Sequence, residues 1–292
     1  MIFAELVGEL QAILSSMSFE DASDYFCKRV FGLKKDELLE LVVNIGILPE
    51  AIRVDSSEEK LFAKLSDIVL ARCLNECALE SQIYSQRANS ADVWAKSHFH
   101  SYSLVADAKV FRLSRTAKNQ KDFKVQSMKL WRGEHNYAVL ICPLFQYPRV
   151  KSQIYAQALE NNILLLSWEH LALMISKGIR ETASCSLQSI WNMSHEIKRI
   201  GYSGHKTLWE VENTLFCNLL DLEPEEFHSQ MNAYRRQFVS RGNEELKALH
   251  RQLHQIQDYS REKAISELIA AMRYNEKISM ISRYIQNLEN WK

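Results

Sequence analysis

"SLVADAKVFRLSRTAKNQKDFKVQ", residues 103–126, runs from an apolar, strand-like segment straight into a basic, polar one. Leu104, Val105, Val110 and Phe111 give the first part the character of a buried strand, with Asp107 and Lys109 set into it. Alternate residues of a strand share a face, so Asp107 and Lys109 point the same way and Ala108 points away. A carboxylate beside a lysine, joined by a second carboxylate from a neighbouring strand, makes a compact site for a cation and a water. Asp92, separated from Asp107 by 14 residues, is the candidate for that second acid. Hard oxygen ligands without His or Cys favour Mg2+, which keeps several waters and shares phosphate oxygens.

The acid-x-Lys pattern is weak by itself, because it occurs five times: Glu58/Lys60, Asp107/Lys109, Asp122/Lys124, Glu196/Lys198 and Glu245/Lys247. The copies at Glu196 and Glu245 fall in polar helical segments, where residues two apart do not face each other. Asp122/Lys124 is the rival, since Asp107 precedes it by the same 14 residues and could serve as its first acid. Its surroundings, KNQKDFK, hold too little apolar content for a buried strand.

With 292 residues, 47% apolar and 25% charged, the chain has the composition of a globular protein with a sizeable core. No apolar stretch approaches the ~18 residues of a membrane span, and the N-terminus has no basic leader, so the cytoplasm is the expected location. The six cysteines lack paired or histidine-linked spacing, which argues against a disulfide framework or a zinc site. Net charge is zero, yet residues 109–132 carry eight basic residues and one acid, a local +7. Such a run is commonly a solvated face. It is also the field that a phosphate-binding groove requires.

Apolar spacing of three and four predicts helices over residues 3–14, 22–31, 36–46 and, behind the candidate caps Asp55, Ser56 and Ser57, from Leu61 onward. Short β-prone segments follow at Asp92–Trp94, Leu104–Phe111 and Tyr137–Leu144, then helix, strand (Ile163–Ser167) and helix. Past residue 204 the periodicity is helical, near 208–220, 225–258 and 260–290. Helices before strands, then β-α-β-α, predict an α/β fold: a mixed central sheet flanked by helices, with helical N- and C-terminal parts.

The stretches LVADAKVFRLSRTAKNQKDFKV, IGILPEAI, EKLFAKLSDIVLA and FQYPRVKSQIYAQALENNILLLSWEHLA resemble the family of the restriction endonuclease HindIII and its isoschizomers. The resemblance runs from about residue 40 to 172 and is looser outside it. It implies the PD-(D/E)xK nuclease fold of the EcoRI-like class, with the whole chain, 1–292, as one endonuclease domain. N-terminal helices would occupy about 1–50, a catalytic core 51–180, a DNA-recognition segment 112–126 and helices 205–292. It further implies a homodimer that cleaves double-stranded DNA at AAGCTT, between the adenines, with Mg2+ and 5′ overhangs. On this pattern Asp92 and Asp107 bind metal, the Ala108 carbonyl is a further ligand and Lys109 positions the water. The proline of the motif name is replaced by Ala91. Glu59 resembles the helical glutamate that several such nucleases aim at the metal; it is equally a first-turn acid favoured by the helix dipole.

The basic residues recur every third position at Arg112, Arg115, Lys118, Lys121 and Lys124, a period that neither helix nor strand gathers on one face. An irregular arm tracking DNA fits it better. Asn119 suits an adenine edge, Lys121 a guanine and Asp122 a cytosine amino group, while Arg112, Arg115, Lys118 and Lys124 suit phosphates. Residues 86–90, just before Asp92, form a weaker second candidate for groove contact. A non-catalytic DNA-binding protein, or a repair or junction nuclease of the same fold, is the competing expectation.

Overall fold

The computed structural model describes residues 2–84, 90–115, 120–148, 152–201, 205–272 and 274–289. The chain divides into two compact units, Met1–Gly242 and Asn243–Lys292. The first begins with α1 (Ile2–Ile13), α2 (Phe19–Phe31), α3 (Lys35–Ile45) and the 20-residue α4 (Ser57–Glu76). Strands β1 (Leu79–Ile83), β2 (Val93–Ser97) and β3 (Ser103–Ala108) follow, then the short α5 (Gln120–Phe123) and α6 (Val125–Trp131). The sheet is completed by β4 (Tyr137–Cys142), α7 (Gln153–Glu160) and β5 (Ile163–Ser167), with α8 (Trp168–Ser176) leading directly off β5. Helices α9 (Gln188–Trp191), α10 (Met193–Ile200), α11 (His205–Leu220) and α12 (Pro224–Gln257) come next; α13 (Arg261–Ala271) and α14 (Tyr274–Glu289) lie in the second unit.

The five strands lie in the order β1-β2-β3-β4-β5; the first three are antiparallel neighbours and β3, β4 and β5 run parallel. The predicted mixed sheet flanked by helices is therefore present. β4 and β5 are buried at every position, as expected of parallel strands covered on both faces. β1 was not expected from the sequence. Its residues, LESQI, show no apolar run: Leu79 is buried and Ile83 partly buried against the core, with the buried polar Ser81 between them.

α4 is the helix on which the site depends. Ser56 caps it, accepting from the Glu59 amide at 3.1 Å, and Glu58 and Glu59 sit in the first turn where the helix dipole favours them. From Leu61 to Leu74 nearly all of its side chains are buried, among them the charged pair Lys64 and Asp67.

The exit of β3 is fixed from the opposite side. The Phe111 amide donates to the Gly46 carbonyl at 3.2 Å, Leu48 donates back to Phe111, and the Trp168 indole donates to the Lys109 carbonyl at 3.4 Å. Gly46 allows this approach, since a Cβ there would stand 2.3 Å from Pro143 Cγ and 2.9 Å from Trp168 Cδ1. Gly46→Ala is expected to destabilise the fold by about 1–3 kcal/mol through overpacking. Equilibrium urea unfolding measures it, and an unchanged midpoint would show that this contact is slack.

Candidate active site

The antiparallel register of β2 and β3 pairs Val93 with Ala106 and Trp94 with Val105. One further step along that register sets Asp92 opposite Asp107. On its other side Asp92 extends the β1–β2 ladder, its carbonyl accepting from the Tyr84 amide at 3.0 Å. Opposite residues of an antiparallel pair share a face with Cβ atoms about 5 Å apart, so the two carboxylates meet. Asp107 is fully buried, and the Lys109 ammonium sits in direct contact with its Oδ2. The Lys109 amide, just past the end of β3, donates to the Ile141 carbonyl at 2.7 Å and holds that residue against β4.

A third acid reaches the same place from α4. Asp67 is buried, and its carboxyl is held well above the usual range by burial, then by the charges of Asp92 and Asp107. Asp92 is pushed up to about 6, first by burial and then by its hydrogen bond to Asp107 and the Asp107 charge. For Lys109, burial alone would lower the pKa, but the charges of Asp107, Asp92 and Asp67 and its bond to Asp107 outweigh it and keep the ammonium. Lys64, one turn before Asp67, donates to the Tyr84 carbonyl at 3.3 Å and its charge acts on both Asp67 and Asp92. Three acids and two lysines thus converge where β2, β3 and α4 meet. A cleft of about 810 Å³ between α2, α4 and β1 is lined by Lys60, Lys64, Gln82 and Tyr84 among others; of the cluster, Lys64 alone lines it.

This arrangement suits a hard divalent cation. A bond between Asp92 and Asp107 requires a proton on one of them; with both ionised, neither buried Asp107 oxygen has a well-formed hydrogen bond, and only Lys109 offsets its charge. Mutual repulsion of three buried carboxylates is what a cation relieves. Among the described residues, no three His, Cys, Asp or Glu side chains stand close enough together, as placed, to hold a metal ion. Ala108, expected to add its carbonyl, is the last residue of β3.

Glu59 occupies a different place. Its carboxylate is paired with Arg112 and accepts from the Asp55 amide at 2.6 Å, eight residues before Asp67 on α4 and so about 12 Å away along the axis. The helical acid beside Asp92 and Asp107 is Asp67 instead. A signal for it was present: Lys64 and Asp67 interrupt the apolar face formed by Leu61, Leu65 and Ile68, and buried charges in mid-helix are rare unless paired.

The basic segment differs from a free arm. Arg112 is tied to Glu59 and the Ile52 carbonyl, and Ser114 donates twice to Glu50, so residues 112–115 are anchored to the loop before α4. From Gln120 onward the chain is helical, in α5 and α6, rather than irregular, with Lys124 between them in a left-handed conformation, φ 49°. Asp122 pairs with Arg115 at 2.6 Å and Lys124 lies over the Trp131 ring, so the rival Asp122/Lys124 pair is not at a strand end. Lys121 is exposed. Lys118 and Asn119, and residues 86–89, lie outside the described residues.

The model of the HindIII restriction endonuclease family matches residues 27–285. The Type II restriction enzyme HindIII of Haemophilus influenzae (strain ATCC 51907 / DSM 11121 / KW20 / Rd) is 38% identical over 279 residues, covering 95% of this chain and 93% of that one. Among solved structures, restriction endonuclease FokI aligns with 61% of this chain and 34% of its own at a TM-score of 0.37 and 11% identity. The family match and the near full-length relative set aside a non-catalytic DNA-binding protein. The chain belongs to the HindIII restriction endonuclease family and is a type II site-specific deoxyribonuclease.

Proposed function

We propose that this endonuclease, acting as a homodimer in the cytoplasm, cuts both strands of double-stranded DNA at AAGCTT, after the first adenine, by Mg2+-dependent hydrolysis. The observation that carries the reading is the β2–β3 register, which sets Asp92 against Asp107 with Lys109 and Asp67 beside them. The palindrome is favoured by the near full-length likeness to the HindIII enzyme. A two-fold symmetric duplex is matched by two copies, each presenting one site to one strand.

In this mechanism Asp92, Asp107 and Asp67, with the Ala108 carbonyl, hold the divalent ion. When bound, the ion lowers the pKa of the attacking water and offsets charge on the phosphate. Lys109 stays cationic, so it cannot act as the base; it donates to the water, aligns it with the phosphorus and balances negative charge as the leaving oxygen departs. Asp107 keeps that ammonium in place through their direct contact. Lys64 supplies the second positive charge and ties α4 to the end of β1. Base reading is assigned to Asn119, Lys121 and Asp122 and phosphate contact to Arg112, Arg115, Lys118 and Lys124, with Glu59 and Glu50 orienting the start of that segment.

Two experiments test this. Plasmid carrying AAGCTT, incubated with Mg2+, should be cut to fragments with 5′ overhangs and left intact with EDTA; Asp107→Asn should lower the rate by at least ~10²–10³-fold, the scale of losing one preorganised charge partner. Cutting that survives EDTA, or wild-type turnover in Asp107→Asn, defeats the mechanism. Asp67→Asn should reduce the rate on a similar scale with the unfolding midpoint kept. Glu59→Gln should instead lose about 0.3–1 kcal/mol of stability from the first turn of the helix and retain most activity. The reverse ranking would return the helical metal ligand to Glu59.

A further inference from the structure

Phe111, Arg115, Asp122 and Phe123 close a circuit of contacts at the start of the basic segment. The Arg115 guanidinium lies over the Phe111 ring, 5.3 Å from its centroid, and its Nη2 donates to Asp122 Oδ1 at 2.6 Å. Phe123, next to Asp122 in sequence and fully buried, completes the circuit with its ring 5.5 Å from that of Phe111. Phe111 is itself held: besides its backbone bonds to Gly46 and Leu48, its carbonyl accepts from the Gln146 side-chain amide at 3.1 Å. Phe123 also stacks on Tyr147, the centroids 5.7 Å apart and the planes at 17°, and the Tyr147 hydroxyl donates to the Leu166 carbonyl at 2.9 Å. Asp122 is thereby tied to the exit of β3 through Arg115 and to β5 through Phe123.

An ion pair whose partners are 44% and 19% exposed adds little to stability. What the circuit supplies is direction. Asp122 lies on α5, a helix of four residues that gives little rigidity of its own. A planar guanidinium seated on an aromatic face and bonded to one carboxylate oxygen restricts the rotation of that carboxylate. A carboxylate accepts at both oxygens, so the pairing orients it without removing its capacity to accept from a base. Arg112, by contrast, is spent on Glu59, and Lys124 on the Trp131 ring.

We infer that Arg115 is a specificity-positioning residue, holding the Asp122 carboxylate in the direction from which it accepts a cytosine amino group. This rests on the base-reading role proposed for Asp122 and adds to the phosphate contact of Arg115, whose guanidinium has donors for both. A base contact that depends on a fixed carboxylate fails when its support is removed, even where the net charge of the segment is kept.

The test compares the affinity of the full chain for AAGCTT with that for the same duplex carrying A·T pairs in place of the two central G·C pairs. Fluorescence anisotropy reads it over a range of salt, with Ca2+ as the hard cation. The wild type should favour AAGCTT. Arg115→Ala should weaken binding to both duplexes, reduce the salt slope by about 0.9 and shrink the ratio between them at least ~10-fold. Arg115→Lys should keep the salt slope and still lose the ratio, because it keeps the charge and loses the planar fork. Asp122→Ala should lose the ratio as well, and the double variant Arg115→Ala, Asp122→Ala no more of it than the worse single variant, since both act through one carboxylate. A ratio kept in both Arg115 variants, or losses that multiply in the double variant, overturns the inference. A ratio kept in Asp122→Ala overturns it through the base-reading role on which it rests. A wild type that selects a different palindrome contradicts the AAGCTT reading alone, and the same variants then decide the inference at the G·C pairs of that site.

Discussion

Electrostatic repulsion among three carboxylates held out of water is the constraint around which this molecule is arranged. Each of Asp67, Asp92 and Asp107 lies on a different element, α4, the entry to β2 and β3, and none could approach the others in water without a steep cost. Rigid pairing of β2 with β3 and burial of α4 against the sheet impose the approach. Lys109 and Lys64 offset part of the charge from within the same element set. Burial first, and the remaining charge of the neighbouring acids second, explain why Asp67 and Asp92 hold protons more tightly than ordinary carboxylates; the proposed divalent cation would offset that charge.

The surrounding contacts hold that geometry at a distance. Gly46, Trp168 and Phe111 fix the chain just past Lys109, so the lysine cannot slide relative to Asp107. Glu59, although on the same helix as Asp67, works in its first turn, where it anchors Arg112 and so the start of the basic segment. Part of the +7 window is offset by acids outside it: Lys109 by Asp107 and Arg112 by Glu59. The field left by this segment is correspondingly smaller than the bare count of charges suggests.

Strands β3 to β5 were legible because parallel, doubly covered strands read as continuous apolar runs, and Asp107 with Lys109 stood out against that background. Asp92 was legible by spacing; its position opposite Asp107 was not, because it depends on a hairpin register that residues 85–102 do not encode by composition. β1 escaped notice as a polar edge strand. Asp67 left only a faint trace, its interruption of the α4 apolar face together with Lys64, because a helix buried on nearly all sides has a weak amphipathic period against which a misplaced charge stands out little. The stretch 260–290 read as one helix, whereas α13 ends at Ala271 and α14 starts at Tyr274; no proline or glycine marks the break. The basic period of three pointed to an irregular arm, but α5 and α6 show that local helical turns and individual ion pairs, rather than a shared face, accommodate those charges.

Mn2+ soaked into crystals of the protein with duplex DNA and located by its anomalous scattering tests the central claim most directly. Density at ligand distance from the carboxylates of Asp92 and Asp107, with Asp67 beside it and Lys109 left free to face the phosphate, is the outcome this account requires. Density at Glu59 or Asp122, with none between β2 and β3, would contradict it.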